Sequence, residues 1–418
     1  MKRIVFSLVI SLVSIVSVCA AADSLKVALP DSVTVAKVDS LALDSAEMEA
    51  FHRVIEDAYV RWRYELHQND SCQTITWNDT LKKEDYIRYL SQMPTIINMS
   101  YNEVVRNYID AYVRKYPKRL SYLLSLSKYY FPIFENALEA GGVPLELKYL
   151  PVIESALNPS AKSYVGAAGL WQFMPATGRL YGLEVTTLVD ERCDPYKSSK
   201  AAVAYLKDLY AIYGDWILVI AAYNCGPGNV NKAIRRSGGK RDYWDIYEHL
   251  PRETRGYVPA FIAASYAMHY AEDLYHICPS EVKFPMASDT IHVDYKVHFE
   301  QISDYLGLHI DELRKLNPQY RYDLVPGDFK VCNLCLPSDY AYRYLTHKDS
   351  IVAYKNELIT REVENKIVLE TTYRVKSGDN LWTIAKKKGV SVAAIRKANA
   401  PKKLGTLQIG QVIKLPVR

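Results

Sequence analysis

Hydrophobic residues between positions 98 and 275 recur with the period of an α-helix, and this pattern constrains the fold more than any other feature of the sequence. Val105, Tyr108, Ile109 and Tyr112 follow the i, i+3, i+4, i+7 spacing of an amphipathic helix. Similar patterns occur at 122–140, 198–213, 216–223 and 257–270, and Gly141-Gly142 is a typical helix stop. The sequence therefore predicts one mainly helical domain over 98–275.

Two copies of a second pattern follow after residue 285. The spacing of Ile302, Gly307, Leu313 and Asn317 is repeated by Ile384, Gly389, Ile395 and Asn399. In the second copy a strand, a Ser-Gly-Asp turn, two short helices and a closing strand can be distinguished. The sequence predicts two small β-α-α-β modules, at 288–340 and 371–417. The fold class is therefore mainly α, with α+β modules at the C-terminal end.

The N-terminus has the features of a secretory signal peptide. A basic start, an apolar run over 4–18 and small residues up to Ala22 predict a signal over 1–22. The run is too short for a typical membrane span. The pattern favours soluble export to the periplasm, with a lipid anchor at Cys19 as the alternative. Residues 23–97 are expected to form a tether followed by a helical segment.

Charge and cysteine content narrow the partners and the compartment. Residues 371–418 contain eleven Lys and Arg but only one acidic residue, a net charge of +10. Because an exported protein does not meet nucleic acid and no nucleic-acid fingerprint is present, an acidic wall polymer is the favoured partner. A merely solvated basic face is the alternative. Cysteines beyond the signal permit disulfides whose pairing the sequence leaves open, and the lone Cys332–Cys335 motif does not favour zinc.

Tyrosine is the compositional anomaly, with 34 Tyr against 9 Phe. Tyrosine combines an apolar ring with a polar tip, which suits a wet binding groove. A tyrosine-rich core and rim explains the same count, and composition favours that simpler interpretation.

Glu154 is a candidate general acid. It is the single charge in an apolar stretch, and Leu147, Leu150 and Glu154 are spaced to lie on one buried helical stripe. A carboxyl group there either finds a partner or has a raised pKa. A raised pKa is what a general acid near neutral pH needs. A structural ion pair is the alternative.

Four short motifs in a fixed order point to a family. They are Glu-Ser at 154–155, Gly-Leu-x-Gln at 169–172, Ala-Tyr-Asn at 222–224 and Tyr-Val at 257–258. Over about 98–270 this series resembles the catalytic domain of the soluble-lytic-transglycosylase family, which implies a lysozyme-like fold. The resemblance makes Glu154 the single acid/base. It assigns substrate binding to Ser155, Gln172, Met174, Tyr223, Asn224 and Tyr257.

The resemblance also implies a reaction that needs no metal or cofactor. Glu154 protonates the oxygen between N-acetylmuramic acid and N-acetylglucosamine, and the muramyl acetamido group stabilises the developing positive charge. Glu154 then takes the proton of the muramyl 6-hydroxyl, which attacks C1 and leaves a 1,6-anhydromuramyl end. Expected partners are peptidoglycan strands and no nucleic acid. The protein is expected to be a monomer, with outer-membrane association left open.

The segment 373–385 together with 409–416 resembles the LysM peptidoglycan-binding module. The resemblance assigns glycan binding to Gly378, Asp379, Thr383 and Ile409. The copy at 288–340 is a degenerate LysM-like repeat, because Val293-Asp294-Tyr295 replaces the Gly-Asp turn.

Two other functions compete with this interpretation. If Asp190 or Asp194 reached the cleft, it could activate water and give a hydrolytic muramidase. The favoured expectation is instead that Asp194 or Ser198 caps the following helix and that Glu191 pairs with Arg192. A non-catalytic wall-binding protein is the other rival, and the motif residues around Glu154 argue against it.

Overall fold

The computed structural model describes residue 48 and residues 81–280, 287–355, 372–388, 390–399 and 404–415. These residues belong to one unit, Val33–Arg418. The predicted signal peptide and most of the predicted 23–97 segment lie outside the described residues. In the part described, helices dominate and sheets are small, which confirms the predicted mainly α class. None of the described helices has the length and apolar character needed to cross a membrane.

The helices of residues 81–280 form the larger part of the molecule. They are α1 (Lys83–Gln92), α2 (Glu103–Asp110, continued by a π turn at Ala111–Lys115), α3 (Pro117–Gly141), α4 (Leu150–Ser155), α5 (Pro175–Leu180), α6 (Pro195–Tyr213), α7 (Trp216–Cys225), α8 (Pro227–Arg236), α9 (Tyr243–Ile246), α10 (Arg252–Arg255) and α11 (Tyr257–Tyr275). Short 3₁₀ turns precede α4 at Leu145–Tyr149 and follow α9 at Tyr247–His249.

Local sequence signals determine where the longest helices begin and end. The side chains of Asn102 and Asp194 accept hydrogen bonds from backbone amides in the first turns of α2 and α6. Gly142 and Gly214 end α3 and α6 in the left-handed region, with φ of 65° and 64°. The predicted stop at Gly141-Gly142 and the predicted Asp194 cap are thus both confirmed.

Helix α11 lies at the centre of the helical core. Most of its residues are buried, and it packs against α2, α4 and α7. Helix α1 lies on it as well, because the Tyr270 hydroxyl donates to the Tyr89 carbonyl at 2.8 Å. Helical packing therefore extends N-terminal of residue 98, where the sequence analysis began the domain.

Tyrosine supplies much of this core. Its fully buried tyrosines include Tyr86, Tyr101, Tyr108, Tyr112, Tyr130, Tyr243, Tyr266 and Tyr275. Each buries a large apolar ring, which contributes about 1.5–3 kcal/mol of hydrophobic stabilisation. The simpler interpretation of the tyrosine count therefore holds for these residues.

Residues 287–355 form a first small module. Its elements are β1 (Ser288–Val293), β2 (Lys296–His298), α12 (Phe299–Leu306), α13 (Ile310–Leu316), β3 (Leu324–Pro326), β4 (Cys332–Pro337), α14 (Ser338–Thr346) and α15 (Lys348–Ala353). Strand β1 pairs antiparallel with β4, and β2 with β3. The module predicted from the sequence ends at 340 and does not include α14 and α15, which pack against α12.

The second module repeats the β-α-α-β plan with its own small core. It consists of β5 (Thr372–Arg374), α16 (Leu381–Lys388), α17 (Val392–Ala398) and β6 (Val412–Lys414), with β5 antiparallel to β6. The repeated asparagines make the same contacts in both modules. Asn317 donates to the carbonyl and accepts from the amide of Cys335, both at 2.7 Å. Asn399 does the same with Lys414, at 2.6 and 2.8 Å.

Candidate active site

Glu154 lies in the last turn of a short helix. The backbone before it is a 3₁₀ turn that gives way to α4, instead of the continuous helical stripe that the sequence predicted. After the helix, Ala156 and Leu157 have φ of 49° and 59°. The left-handed region is costly for residues that carry a Cβ, and such strain clusters at functional sites. The chain is therefore forced to turn within three residues of Glu154.

The carboxyl group of Glu154 is partly buried and meets one side chain in particular. The Tyr257 hydroxyl, at the start of α11, donates to Oε1 of Glu154 at 2.5 Å. Burial raises the pKa of Glu154 from 4.5 to about 7, and the hydrogen bond from Tyr257 opposes the rise because it favours the carboxylate. Among the described residues, no second carboxylate contributes to this pKa shift. At neutral pH the group can both give and take a proton.

The segment 169–173 passes close to Glu154 and is held by side chains from elsewhere. Its backbone carbonyls accept hydrogen bonds from three residues: Leu170 from Ser155 at 2.9 Å, Trp171 from Tyr223 at 2.8 Å and Phe173 from Arg192 at 2.9 Å. Ser155 is buried, and its hydroxyl also bonds the Pro151 carbonyl, so it links α4 to the segment. Ser155 is predicted to bind substrate, but its hydroxyl already donates to backbone carbonyls of the protein.

A tight turn orients Gln172. Its φ is 48°, and its Nε2 donates to the Gly169 carbonyl at 2.7 Å and more weakly to the Ala161 carbonyl at 3.3 Å. Gly169 has φ of 85°, and a Cβ added there would lie 1.7 Å from the Arg192 carbonyl oxygen. Only glycine fits this position. The close approach of two backbones thus fixes the orientation of Gln172.

Asn224 and Met174 are exposed, whereas Trp171 is not. The Oδ1 of Asn224 accepts from the Thr254 hydroxyl at 2.9 Å, which fixes the orientation of its amide. Met174 is 42% exposed. Trp171 is fully buried and donates its indole N–H to Ser199 at 3.0 Å, so it belongs to the core and offers no stacking surface.

A row of aromatic rings extends away from Glu154. Ring centroids are 6.4 Å apart between Phe173 and Tyr223, 5.3 Å between Tyr223 and Tyr205, and 5.2 Å between Tyr205 and Tyr181. The three tyrosines are partly exposed. Burial and the nearby charge of Glu154 raise the pKa of Tyr223 well above its usual value, so its hydroxyl stays protonated. The row offers an apolar face with polar edges, which suits sugar rings.

The acidic residues of 190–194 are engaged in contacts within the protein. Asp190 is buried and bonds Arg192 through both carboxylate oxygens at 2.8 Å. Burial raises the pKa of Asp190, but the guanidinium groups of Arg192 and Arg321 outweigh it and hold the pKa below its usual value. The expectation that Glu191 pairs with Arg192 is wrong: Glu191 pairs with Lys197 at 2.5 Å, because Asp190 already occupies the guanidinium.

The predicted LysM residues lie around the first turn and the last loop of the second module. Gly378 has φ of 82°, and Asp379 accepts from the Tyr373 hydroxyl at 2.7 Å and the Lys376 amide at 2.8 Å. The Thr383 hydroxyl donates to the Asn380 carbonyl at 2.9 Å. These three residues build the turn. The most exposed large apolar side chains of the module are Trp382 at 65% and Ile409 at 72%.

Most of the described cysteines are free thiols. Cys193, Cys225, Cys332 and Cys335 are free thiols, and Cys278 is disulfide-bonded. Within the described ranges, no group of three or more His, Cys, Asp or Glu could hold a metal ion.

Sequence reasoning missed residues that support the site from a distance. Thr254 orients Asn224, Arg192 holds the segment 169–173, and Arg321 contacts Asp190 from the first module. No local pattern could have identified them, because each acts on a residue far away in the chain. Gly169 belongs to the predicted Gly-Leu-x-Gln motif, but its close neighbour, the Arg192 carbonyl, could not be named from the sequence.

Comparison with protein families gives three matches along the chain. A transglycosylase SLT domain matches residues 131–246. The LysM-like domain of lytic transglycosylase MltD matches 287–353, and a LysM domain matches 373–416. The matches thus cover Glu154 and the motif segments up to Asn224, and both repeats.

Two curated relatives and one solved structure are similar to parts of this chain. Membrane-bound lytic murein transglycosylase D of Escherichia coli K12 is 31% identical over 295 residues, which cover 68% of this chain and 64% of the relative. Soluble lytic murein transglycosylase of E. coli K12 is 37% identical over 116 residues, covering 26% of this chain and 18% of that protein. The crystal structure of the 70 kDa soluble lytic transglycosylase SLT70 from E. coli aligns with a TM-score of 0.31 and 28% identity, covering 37% of this chain and 27% of that one.

The chain spans 64% of the length of the first of these relatives, which is less than two thirds. Its SLT, MltD-type LysM-like and LysM domains follow one another in this order. By these domains and this similarity, the chain is an SLT-domain protein with an MltD-type LysM-like domain and a LysM domain, and it is similar to membrane-bound lytic murein transglycosylase D.

Proposed function

We propose that this protein is a peptidoglycan lytic transglycosylase that acts in cell-wall remodelling. It cleaves the β-1,4 bond between N-acetylmuramic acid and N-acetylglucosamine and leaves 1,6-anhydromuramyl ends. One observation carries the proposal. Glu154 has a pKa of about 7 with only Tyr257 opposing the effect of burial, so a single carboxyl group is suited to both proton transfers.

The reaction proceeds with Glu154 as acid and then as base. Protonated Glu154 gives its proton to the glycosidic oxygen, the bond to C1 breaks, and the muramyl acetamido oxygen stabilises the positive charge at C1. The carboxylate then takes the proton of the muramyl 6-hydroxyl as that oxygen bonds to C1. Glu154 is thereby restored without consumption of water. Two-carboxylate hydrolysis needs a second acid flanking the bond.

The surrounding side chains hold the sugar and keep Glu154 in place. Tyr257 fixes the carboxyl group, and the oriented amides of Gln172 and Asn224 supply donors and acceptors for the acetamido and hydroxyl groups. The tyrosine row beside Tyr223 provides a surface on which successive sugar rings can stack. Met174 completes the rim of the cleft. Ser155 supports binding through the carbonyl that it holds.

The C-terminal module supplies wall binding. The LysM domain contacts N-acetylglucosamine-containing strands near its Gly378–Asp379 turn, Thr383 and Ile409, and its basic charge attracts the acidic wall polymer. The protein is exported and works as a monomer in the periplasm. The name of its relative, a membrane-bound enzyme, supports an association with the envelope, with a lipid anchor at Cys19 or an outer-membrane contact as the means.

Mass spectrometry of digested peptidoglycan tests this function. Purified sacculi are incubated with the protein, with Glu154→Gln, and with Glu139→Gln, an exposed glutamate of α3, as the matched control. The proposal predicts muropeptides lighter by one water than hydrolysed ones from the wild type and Glu139→Gln, and none from Glu154→Gln. Hydrated reducing ends would identify a hydrolytic muramidase instead. Binding without cleavage by any of the three would identify a wall-binding protein.

A further inference from the structure

Residues 188–190 of the SLT domain pair with residues 319–321 of the first module. The amide of Asp190 donates to the Gln319 carbonyl at 2.8 Å, and the amide of Arg321 donates to the Leu188 carbonyl at 2.8 Å. Between them Val189 forms a β-bridge with Tyr320. The side chain of Val189 is part of the module's hydrophobic core. The module is therefore attached to the SLT domain by backbone pairing and by shared burial.

An ion pair between a partly exposed arginine, Arg321, and the buried carboxylate of Asp190 crosses the same junction. The Arg321 guanidinium donates to Oδ2 of Asp190 at 2.7 Å. Asp190 is only 2% exposed and Arg192 5%. Burying charges is costly unless they are paired and hydrogen-bonded, so the two arginines and the carboxylate depend on one another. Removal of Arg321 leaves Asp190 paired with Arg192 but free to change its position.

Arg192 carries this contact to the site. Its guanidinium donates to the Phe173 carbonyl at 2.9 Å and to the Gly166 carbonyl at 2.8 Å. Its own carbonyl is the atom that excludes a Cβ at Gly169. The segment that carries Gln172 thus rests on Arg192 through both its side chain and its backbone.

We propose that Arg321 is a positioning residue for the active site, and that the LysM-like module serves as a brace for the segment 166–173. The chain of contacts runs from Arg321 through Asp190 and Arg192 to the backbone beside Gln172. This inference rests on the proposed transglycosylase function for its kinetic consequences, but not for its structural ones. Because a small misplacement of a binding group is costly to catalysis, loss of the brace lowers kcat about tenfold.

The test uses three variants of the full chain. Arg321→Ala removes the contact, and Arg321→Lys keeps a charged donor for the single hydrogen bond to Asp190. Lys330→Ala is the matched control, since Lys330 pairs with Glu184 across the same junction at 3.4 Å but does not contact Asp190 or Arg192. Exposed ion pairs of that kind contribute little to the free energy of unfolding. Amide hydrogen exchange over 166–173 and over β1–β4 is measured together with kcat and KM on soluble peptidoglycan glycan fragments.

The expected result has two parts. Arg321→Ala speeds exchange over 166–173 while β1–β4 stay protected, and it lowers kcat about tenfold with KM little changed. Arg321→Lys partly restores the protection from exchange over 166–173 and partly restores kcat. Lys330→Ala resembles the wild type in both measurements. Unchanged exchange and unchanged kcat in Arg321→Ala would overturn the proposal, as would equal effects of Lys330→Ala. Faster exchange in a protein whose wild type cleaves nothing would leave the brace standing and reject the proposed function.

Discussion

The raised pKa of Glu154 means that ionising this group destabilises the folded protein, and the effect can be measured as a change in the free energy of unfolding with pH. The pKa rises from 4.5 to about 7 because folding takes the carboxyl group out of water. The native state therefore binds a proton more tightly than the unfolded chain, and the stability contributed at low pH is lost as pH rises through this range. Glu154→Gln removes the titration but keeps an amide oxygen that can accept from Tyr257. The variant is expected to be more stable than the wild type at neutral and alkaline pH.

The size of the gain follows from the two pKa values. Linkage gives a cost of ionisation of about 0.2 kcal/mol at pH 4, about 2 kcal/mol at pH 6 and about 3 kcal/mol at pH 8. The free energy of unfolding of Glu154→Gln should exceed that of the wild type by these amounts, so the difference grows with pH. The sign is opposite to that of a paired surface carboxylate, whose loss would destabilise the fold at high pH.

Urea unfolding followed by circular dichroism at pH 4, 6 and 8 measures the difference. Glu139→Gln, on the exposed side of α3, serves as the matched control for replacing a carboxylate by an amide. The reasoning is refuted if the difference between Glu154→Gln and the wild type does not change with pH. It is refuted equally if the wild type is the more stable protein at pH 8.

Three further changes have defined outcomes. Gly169→Ala should destabilise the protein by at least about 2 kcal/mol, since its Cβ overlaps a backbone carbonyl, whereas Gly228→Ala, which meets open space, should stay within about 1 kcal/mol in thermal or urea unfolding. Tyr257→Phe removes the hydrogen bond that lowers the pKa of Glu154, so the alkaline limb of kcat/KM should move to higher pH; a shift to lower pH would contradict this. Deleting 371–418 should weaken sedimentation with sacculi more than turnover on short soluble glycans, and unchanged sedimentation would count against the LysM assignment.

Features governed by local sequence were predictable. The Asp194 cap and the Gly141-Gly142 stop depend only on neighbouring residues, and the structure has both. The repeat was visible because Asn317 and Asn399 must each hold a closing strand, which keeps their spacing from the preceding helix constant. Signals of this kind depend on residues close together in the chain, so they can be identified from the sequence alone.

Features governed by contacts distant in sequence were not predictable. From the sequence alone, Arg192 could form an ion pair with either Asp190 or Glu191. In the structure Arg192 is buried beneath the segment that carries Phe173, and there its ion-pair partner is Asp190. Ser155 has the appearance of a substrate ligand because it follows Glu154, yet its hydroxyl is committed to a backbone carbonyl. In both cases the deciding partner is outside the motif in which the residue was found.

The two repeats show how one scaffold can serve two purposes. In the first module, Gly327 lies so close to the backbone of Val293 and Tyr295 that a Cβ would approach their oxygens to 2.4 and 2.5 Å. The chain at Gly327 thus packs directly against the turn that follows β1, and Tyr320 of the same module pairs with Val189 of the SLT domain. In the second module, Trp382 and Ile409 remain exposed on a basic domain. Because a surface used for internal packing is not available to a glycan strand, wall binding is expected from the second module, while the first stiffens the site that it adjoins.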